Sequence, residues 1–230
     1  MITKHMYNGC NKKITAREMT VIGPYREIFK QQSLPMQKQF ISLCGLCCDV
    51  DKGNILLKDS ELDHVLKSRL LESPSQYHGI DANQDTISAN KLISDFVGSA
   101  EQPNWHCKYF KLAIDRIARE EWFNPGIINY DCTVMPEKAM GDLKQIINLT
   151  KNKNDILVVC NFVTRARHKT CSPEELFETI KTSGLLDLLN RDQWVLHEVI
   201  YQYNGTGKSS NTTMSTIVFY KKTIINTLNL

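Results

Sequence analysis

Tyr77-His78-Gly79-Ile80-Asp81-Ala82-Asn83-Gln84-Asp85-Thr86-Ile87-Ser88-Ala89-Asn90-Lys91 decides how this chain folds. A short apolar run ends on one acidic residue, Asp81, and a helical pattern begins at once, with Ile87 and Leu92 as its apolar positions. A strand handing over directly to a helix is half of a βαβ unit, the building block of a parallel sheet. Ligands of such sheets lie beyond the carboxyl ends of the strands, where a carboxylate can accept hydrogen bonds from both hydroxyls of a ribose. Asp81 stands at that place. The plainer alternative is that any βαβ unit can end a strand on Asp.

Working upstream, Gln39 to Gly45 reads as a buried strand closed by glycine, followed by a polar loop with Asp49, Asp51, Gly53 and Asn54. Asp59-Ser60 can cap a helix from Glu61 to Leu71, whose Leu62, Val65, Leu66, Arg69 and Leu70 are spaced for one face. Residues 1–35 read as a small helical cap broken at Gly23-Pro24, and 36–230 as one domain. Downstream, the helix after Asp81 runs to about Val97, and Trp105 to Leu112 reads as a third strand before a short helix from Asp115 to Trp122. Gly126 to Asp131 is a fourth strand, Glu137 to Thr150 a helix, and Asp155 to Phe162 the most apolar strand of the chain. Ser172-Pro173-Glu174-Glu175 opens a further helix with an N-cap, a first-position proline and an acidic first turn. The chain then changes character: Trp194–Tyr203 and Met214–Lys222 are strands joined with no helix between, hence an antiparallel hairpin.

A length of 230 residues suits one large α/β domain. No apolar run approaches the roughly 18 residues that span a bilayer, and the first six residues lack the apolar core of a signal peptide, so the cytoplasm is the expected location and no membrane partner is expected. The formal charge of +3 is too small to identify a polyanion partner by itself. Of eight cysteines, Cys44, Cys47 and Cys48 give half of a zinc site, but Cys107, Cys132, Cys160 and Cys171 stand singly, so buried thiols and no metal are expected. Gly205-Thr206-Gly207-Lys208-Ser209 lacks the leading glycine, and the following helix, of a P-loop.

Five β-α alternations followed by a hairpin, over roughly residues 36–222, resemble the class I S-adenosylmethionine-dependent methyltransferases. The pattern around Asp81 is similar to that family's second strand, whose carboxylate binds the ribose of the cofactor. The resemblance implies a Rossmann-like α/β sandwich with a mostly parallel seven-stranded sheet. It also implies S-adenosylmethionine as cofactor. The terminal hairpin and the absence of G-x-G-x-x-G set the chain apart from nicotinamide-dependent reductases.

On that resemblance, Leu43, Cys44 and Gly45 fall where the family's Gly-rich turn follows the first strand, although only Gly45 matches. Asp81 and Ala82 fall at the ribose and the adenine edge, and Asp115 is the nearest acidic residue to the family's adenine-binding position. Asn129-Tyr130-Asp131-Cys132 ends the fourth strand, where the family faces the transferring methyl group. Asp131 and Tyr130 are therefore the catalytic candidates, without the Pro-Pro of base-amine methyltransferases; a helix-capping Asp is the alternative. Arg165, Arg167, His168 and Lys169 follow the fifth strand, and Lys208 lies in the hairpin connection. Both basic segments open on the same sheet edge, and Arg suits phosphate, which favours a nucleic acid as the substrate. The expected activity is methyl transfer to an acceptor on DNA or RNA. The alternative is a catalytically inactive subunit of the same fold that binds nucleic acid or a protein.

Overall fold

The alternation of strands and helices is realised as one mixed sheet with helices on both faces. The computed structural model describes residues 17–30, 36–43, 49–51, 54–56, 61–96, 101–132, 134–166, 169–204 and 213–223. Its strands are β1 (Gln39–Leu43), β2 (Asp49–Asp51), β3 (Asn54–Leu56), β4 (Tyr77–Asp81), β5 (Asn104–Cys107), β6 (Pro125–Asp131), β7 (Ile156–Ala166), β8 (Lys169–Thr170), β9 (Val195–Asn204) and β10 (Thr213–Lys221). The helices are α1 (Gly23–Phe29), α2 (Glu61–Lys67), α3 (Gln84–Phe96), α4 (Phe110–Ile117), α5 (Pro136–Thr150), α6 (Pro173–Thr182) and α7 (Leu185–Arg191).

Seven strands hydrogen-bond in the order β5-β4-β1-β6-β7-β10-β9, with β8 folded back on β7. β1 pairs in parallel with β4 and β6, β4 with β5, and β6 with β7. β10 is antiparallel to both β7 and β9, so β9 points the same way as the parallel five. The chain steps outward from β1 through β4 to β5, then crosses back to β6 and outward again through β7. The order therefore reverses at the β1/β6 boundary, and a crevice opens there at the carboxyl ends of the strands.

Successive strand residues face opposite sides, so both sides of a covered sheet must be apolar. Ile127 faces one core with Phe40, Tyr77, Leu157, Val159 and Val218, beneath Val21, Ile22, Tyr25 and the α2 residues Leu62 and Val65. Ile128 faces the other, with Ile41, Ile80, Val158, Phe162 and Phe219, beneath α4 to α7. Ile128 is fully buried, so Ile128→Ala is expected to cost about 2–5 kcal/mol.

Several elements differ from the sequence expectation. Gly23-Pro24 does not break the N-terminal helix. A π-helical turn, Glu18–Ile22, runs straight into α1, with the Gly23 N–H reaching the carbonyl of Glu18. Pro24 has no N–H and its ring would crowd the carbonyl four residues back; the wider turn accommodates it. A Cβ at position 23 would lie 2.7 Å from that same Glu18 oxygen, which requires glycine. Asp49–Asp51 and Asn54–Leu56, in the region expected to be a polar loop, form the small antiparallel pair β2–β3. α2 stops at Lys67, two residues before Arg69 takes a left-handed φ of 55°.

The third strand is four residues long and the following helix begins at Phe110, not Asp115. Phe110, Ala113, Ile114 and Ile117 are buried at i, i+3, i+4 and i+7, a helical stripe that overrides the strand-like Trp105–Leu112 run. Leu92 is 53% exposed, whereas Asn90 and Ser94 are buried. That inversion is stabilised locally: the Ser94 hydroxyl donates to the Asn90 carbonyl and accepts from the Trp105 indole N–H. α7 has no counterpart in the sequence reading.

Candidate functional site

Asp81 closes β4 half-buried, and its Oδ1 accepts the Asn83 N–H at 2.7 Å. Asn83 in turn accepts the N–H of Asp85 at 2.8 Å and so starts α3. Burial raises the Asp81 carboxyl above its ordinary range, and the Asn83 N–H partly opposes that rise. The neighbouring turn is clamped to it. Cys107 pairs with Asp81, the Lys108 N–H donates to the Asp81 carbonyl at 3.1 Å, and the Cys107 thiol lies 3.8 Å from the Ala82 carbonyl. Ala82 is exposed beside this clamp.

Leu43 ends β1 opposite Ile80, half-buried against the core under α4 and α5. Cys44 and Gly45 lie outside the described residues. Asp115 is not at a strand end. It sits in the second turn of α4, where its carboxylate accepts Gln145 Nε2 of α5 at 2.6 Å. Cys107 and Lys108 occupy the position beside Asp81 that the sequence reading gave to Asp115. The misplacement follows from starting α4 five residues late.

At the end of β6, neighbouring residues part company. Tyr130 is 4% exposed on the α4–α5 face. Its ring packs against Phe110, and its hydroxyl donates to Asp142 of α5 at 2.5 Å. Burial, and then that hydrogen bond, push the phenol well above its usual range. A phenol held this way braces α5 and is turned from the face that carries Asn129 and Asp131. Asp131 is half-buried, pairs with Asn161 across the ladder, and alternates onto the same face as Asn129.

That face holds a polar row the sequence reading missed. Glu61, at the start of α2, accepts Asn129 Nδ2 at 2.6 Å and the Tyr77 hydroxyl at 2.8 Å, with Arg17 Nε at 3.9 Å. Asn129 Nδ2 also lies 3.4 Å from Ser42 Oγ. Asn129 Oδ1 accepts Asn161 Nδ2 at 3.4 Å, and Asn161 accepts the Thr216 hydroxyl. The row therefore crosses β1, β6, β7 and β10 below the carboxyl ends. Its sequence signal is an asparagine closing each of two apolar runs, Ile127-Ile128-Asn129 and Val158-Val159-Cys160-Asn161. Buried amides in central strands must find partners.

Cys132 and Cys160 are buried thiols, and burial is the main cause that drives both upward, Cys132 to about 12. Neither is a ready nucleophile. Among the described residues, no group of three or more His, Cys, Asp or Glu can hold a metal. No helix among them is long and apolar enough to cross a membrane. The basic segment at the end of β7 pairs with β8: Arg165 with Thr170 and Ala166 with Lys169. Arg167 and Lys208 lie outside the described residues.

No family model matches this chain, and no curated protein matches it. Solved structures do. Magnesium protoporphyrin IX methyltransferase from Synechocystis, crystallised with bound S-adenosylmethionine, aligns with a TM-score of 0.50 at 10% identity, over 90% of this chain and 81% of its own. An rRNA methylase from Streptococcus thermophilus aligns at 0.44 and 10% identity, over 88% and 96%. A Streptococcus pneumoniae protein described as a candidate tRNA (m1A22) methyltransferase aligns at 0.47 and 9% identity, over 87% and 71%. The strand order, the single antiparallel strand within a terminal hairpin and the likeness to the Synechocystis enzyme agree: this chain has the fold of the class I S-adenosylmethionine-dependent methyltransferases.

Proposed function

We propose that the chain binds S-adenosylmethionine along the carboxyl ends of β1, β4 and β5 and catalyses methyl transfer to an acceptor carried by a nucleic acid. The observation that carries the reading is Asp81: a half-buried carboxylate at the carboxyl end of β4, next to the strand flanking the reversal in strand order. One oxygen holds the Asn83 N–H, and the second can accept ribose hydroxyls. The exposed Ala82 and the clamped 107–108 turn lie beside Asp81, where the purine of an adenosine would pass. These residues fit an adenosine.

The cofactor supplies an electrophilic methyl on a sulfonium. The protein supplies alignment and exclusion of water, effects worth on the order of 7–11 kcal/mol at best. Asp131, on the polar-row face of β6, is suited to hold an acceptor amine or hydroxyl in line. Support for a nucleic acid comes from the cations Arg165 and Lys169 where β7 and β8 pair, with Arg167 between them and Lys208 between β9 and β10 in sequence.

Calorimetry tests the cofactor half. S-adenosylmethionine or S-adenosylhomocysteine should bind, and Asp81→Ala should weaken binding by roughly 1.5–3 kcal/mol, the scale of hydrogen bonds to a charged group. Unchanged affinity in the variant, or preference for a nicotinamide cofactor, would remove the reading. Cofactor binding without transfer to any DNA or RNA would favour a non-catalytic subunit of the same fold.

A further inference from the structure

The edge strand β5 is flanked by a surface that, apart from the 107–108 turn, the cofactor reading does not use. Between Lys108 and Arg119 the chain carries four cations, Lys108, Lys111, Arg116 and Arg119, against one carboxylate, Asp115. Asp115 is held by Gln145. The four cations are exposed, and so are two large apolar side chains among them, Tyr109 at 74% and Leu112 at 57%. On α4, Leu112 and Arg116 are four residues apart and share a face with Lys111 alongside, while Lys108 and Tyr109 lie in the turn that enters the helix. The charges of Arg116 and Lys108 both act on His106 of β5. Two acids, Glu120 and the exposed Glu121, follow Arg119 directly.

An exposed tyrosine ring with Lys108 and Lys111 beside it in sequence has a specific chemical complement. Bases stack on the ring while phosphates meet the cations, and an unpaired strand offers both. Lys108 and Tyr109 follow the carboxyl end of β5 directly, so this surface opens on the same sheet edge as Asp81 and Asp131. Four strand spacings, about 19 Å, separate β5 from β7 and its basic segment.

We propose that Lys108, Tyr109, Lys111, Leu112 and Arg116 form a docking surface for single-stranded nucleic acid, with Tyr109 as the stacking platform. This site deepens the nucleic-acid half of the proposed function and stands independently of cofactor binding. The test is fluorescence anisotropy of a labelled 20-nucleotide single strand, RNA and DNA in parallel, with the full chain. Tyr109→Ala should weaken binding about 5- to 150-fold, the fold-change equivalent of about 1–3 kcal/mol per stacked base. It should leave binding of the matching duplex unchanged. The Lys108→Gln/Lys111→Gln/Arg116→Gln variant should reduce the log–log salt slope by about 2, at about 0.7 per phosphate contact. All these positions are exposed, and unchanged thermal melting will establish that the variants are folded. Equal single-strand affinity in wild type and both variants would overturn the proposal. So would an effect confined to Arg165→Ala/Lys208→Ala, or binding to phosphatidylserine vesicles in place of oligonucleotide. An Asp81→Ala protein that loses S-adenosylmethionine yet keeps the Tyr109-dependent affinity would support the surface while separating it from the cofactor site.

Discussion

Asn129 of β6 donates a 2.6 Å hydrogen bond to Oε2 of Glu61, a residue 68 positions earlier at the start of α2. The same carboxylate takes the Tyr77 hydroxyl of β4 and sits near Arg17 from the N-terminal segment. One side chain thus ties α2 and the segment before α1 to two central strands. Its own side chain is only 10% exposed. Glu61→Leu would leave the Asn129 amide and Tyr77 hydroxyl without their acceptor, at about 1–3 kcal/mol for each stranded donor. Glu61→Gln keeps a carbonyl acceptor and should lose less. Urea unfolding of the three proteins checks the order; a leucine variant as stable as wild type would show that the row is dispensable.

Asp81 should trade stability for binding. Its carboxyl is raised by burial, so the folded state holds a proton that the unfolded chain has already released. A carboxyl of this kind helps folding below its unfolded value and loses that contribution as pH rises through the folded value. Above both, the ionised group opposes folding. Asp81→Asn removes the charge and keeps an oxygen for the Asn83 N–H. The apo variant should therefore be at least as stable as wild type at pH 7, while S-adenosylmethionine binds more weakly. In wild type, affinity should fall on acidification at a pH above the ordinary Asp value of 3.8, because hydroxyl donors prefer the carboxylate. Calorimetry across pH 4–8 measures both effects.

A histidine pair at the sheet edge should make the fold acid-sensitive. The rings of His78 and His106 stack with centroids 5.4 Å apart and planes 8° apart, and His78 Nδ1 lies 3.1 Å from His106 Nε2. Gln39 Oε1 accepts the Asn124 N–H, so the Gln39 amide donates to His78 Nε2, and His78 Nδ1–H then donates to His106. The network needs both rings neutral. Burial lowers His78 to about 3, aided by the neighbouring ring. Burial, with the Arg116, Lys108 and Lys91 charges, lowers His106 to about 4. The unfolded chain therefore binds more protons between about pH 4 and 6.5, and stability must rise with pH across that window. The slope is on the order of 1–2 kcal/mol per pH unit, two protons at most. His78→Gln/His106→Gln should flatten it in urea titrations; an unaltered slope would assign acid sensitivity to the carboxylates alone.

The sheet was legible because its signal is local. Apolar runs alternating with capped amphipathic helices gave the parallel strands, and the final run without a helix gave the antiparallel hairpin. Asp81 was legible for the same reason: a strand, an acid and a helix are contiguous. The errors arise where local and tertiary signals conflict. Trp105–Leu112 carries enough aromatic and apolar residues to read as a strand, yet Phe110, Ala113, Ile114 and Ile117 gain more by burying one helical stripe. That five-residue slip misplaced Asp115. Leu92 matched the expected stripe of α3, but Asn90 and Ser94 are buried, the Ser94 hydroxyl donating to the Asn90 backbone carbonyl and accepting from Trp105. The Glu61–Asn129–Asn161 row joins α2, β6 and β7, and no local pattern announces partners so far apart.

The two residues closing β6 should respond oppositely to substitution. Tyr130 and Asp131 are adjacent in sequence, yet strand alternation sends them to opposite faces. The Tyr130 hydroxyl is committed to Asp142 inside the α4–α5 core. Tyr130→Phe should cost about 0.5–1.5 kcal/mol of stability, the net worth of one hydrogen bond, and leave methyl transfer intact. Asp131 shares its face with Asn129, at the strand end nearest the β1/β6 reversal. If it orients or deprotonates the acceptor, Asp131→Asn, which keeps the shape and one acceptor oxygen, should reduce transfer by roughly 10²–10⁴-fold. Cofactor affinity should change little, because Asp81 and its clamped turn are untouched. A tritiated-methyl assay over mixed DNA and RNA substrates, run beside calorimetry, separates the outcomes. Loss of transfer in Tyr130→Phe with full activity in Asp131→Asn would reverse the assignment and put the reacting centre on the α4–α5 face.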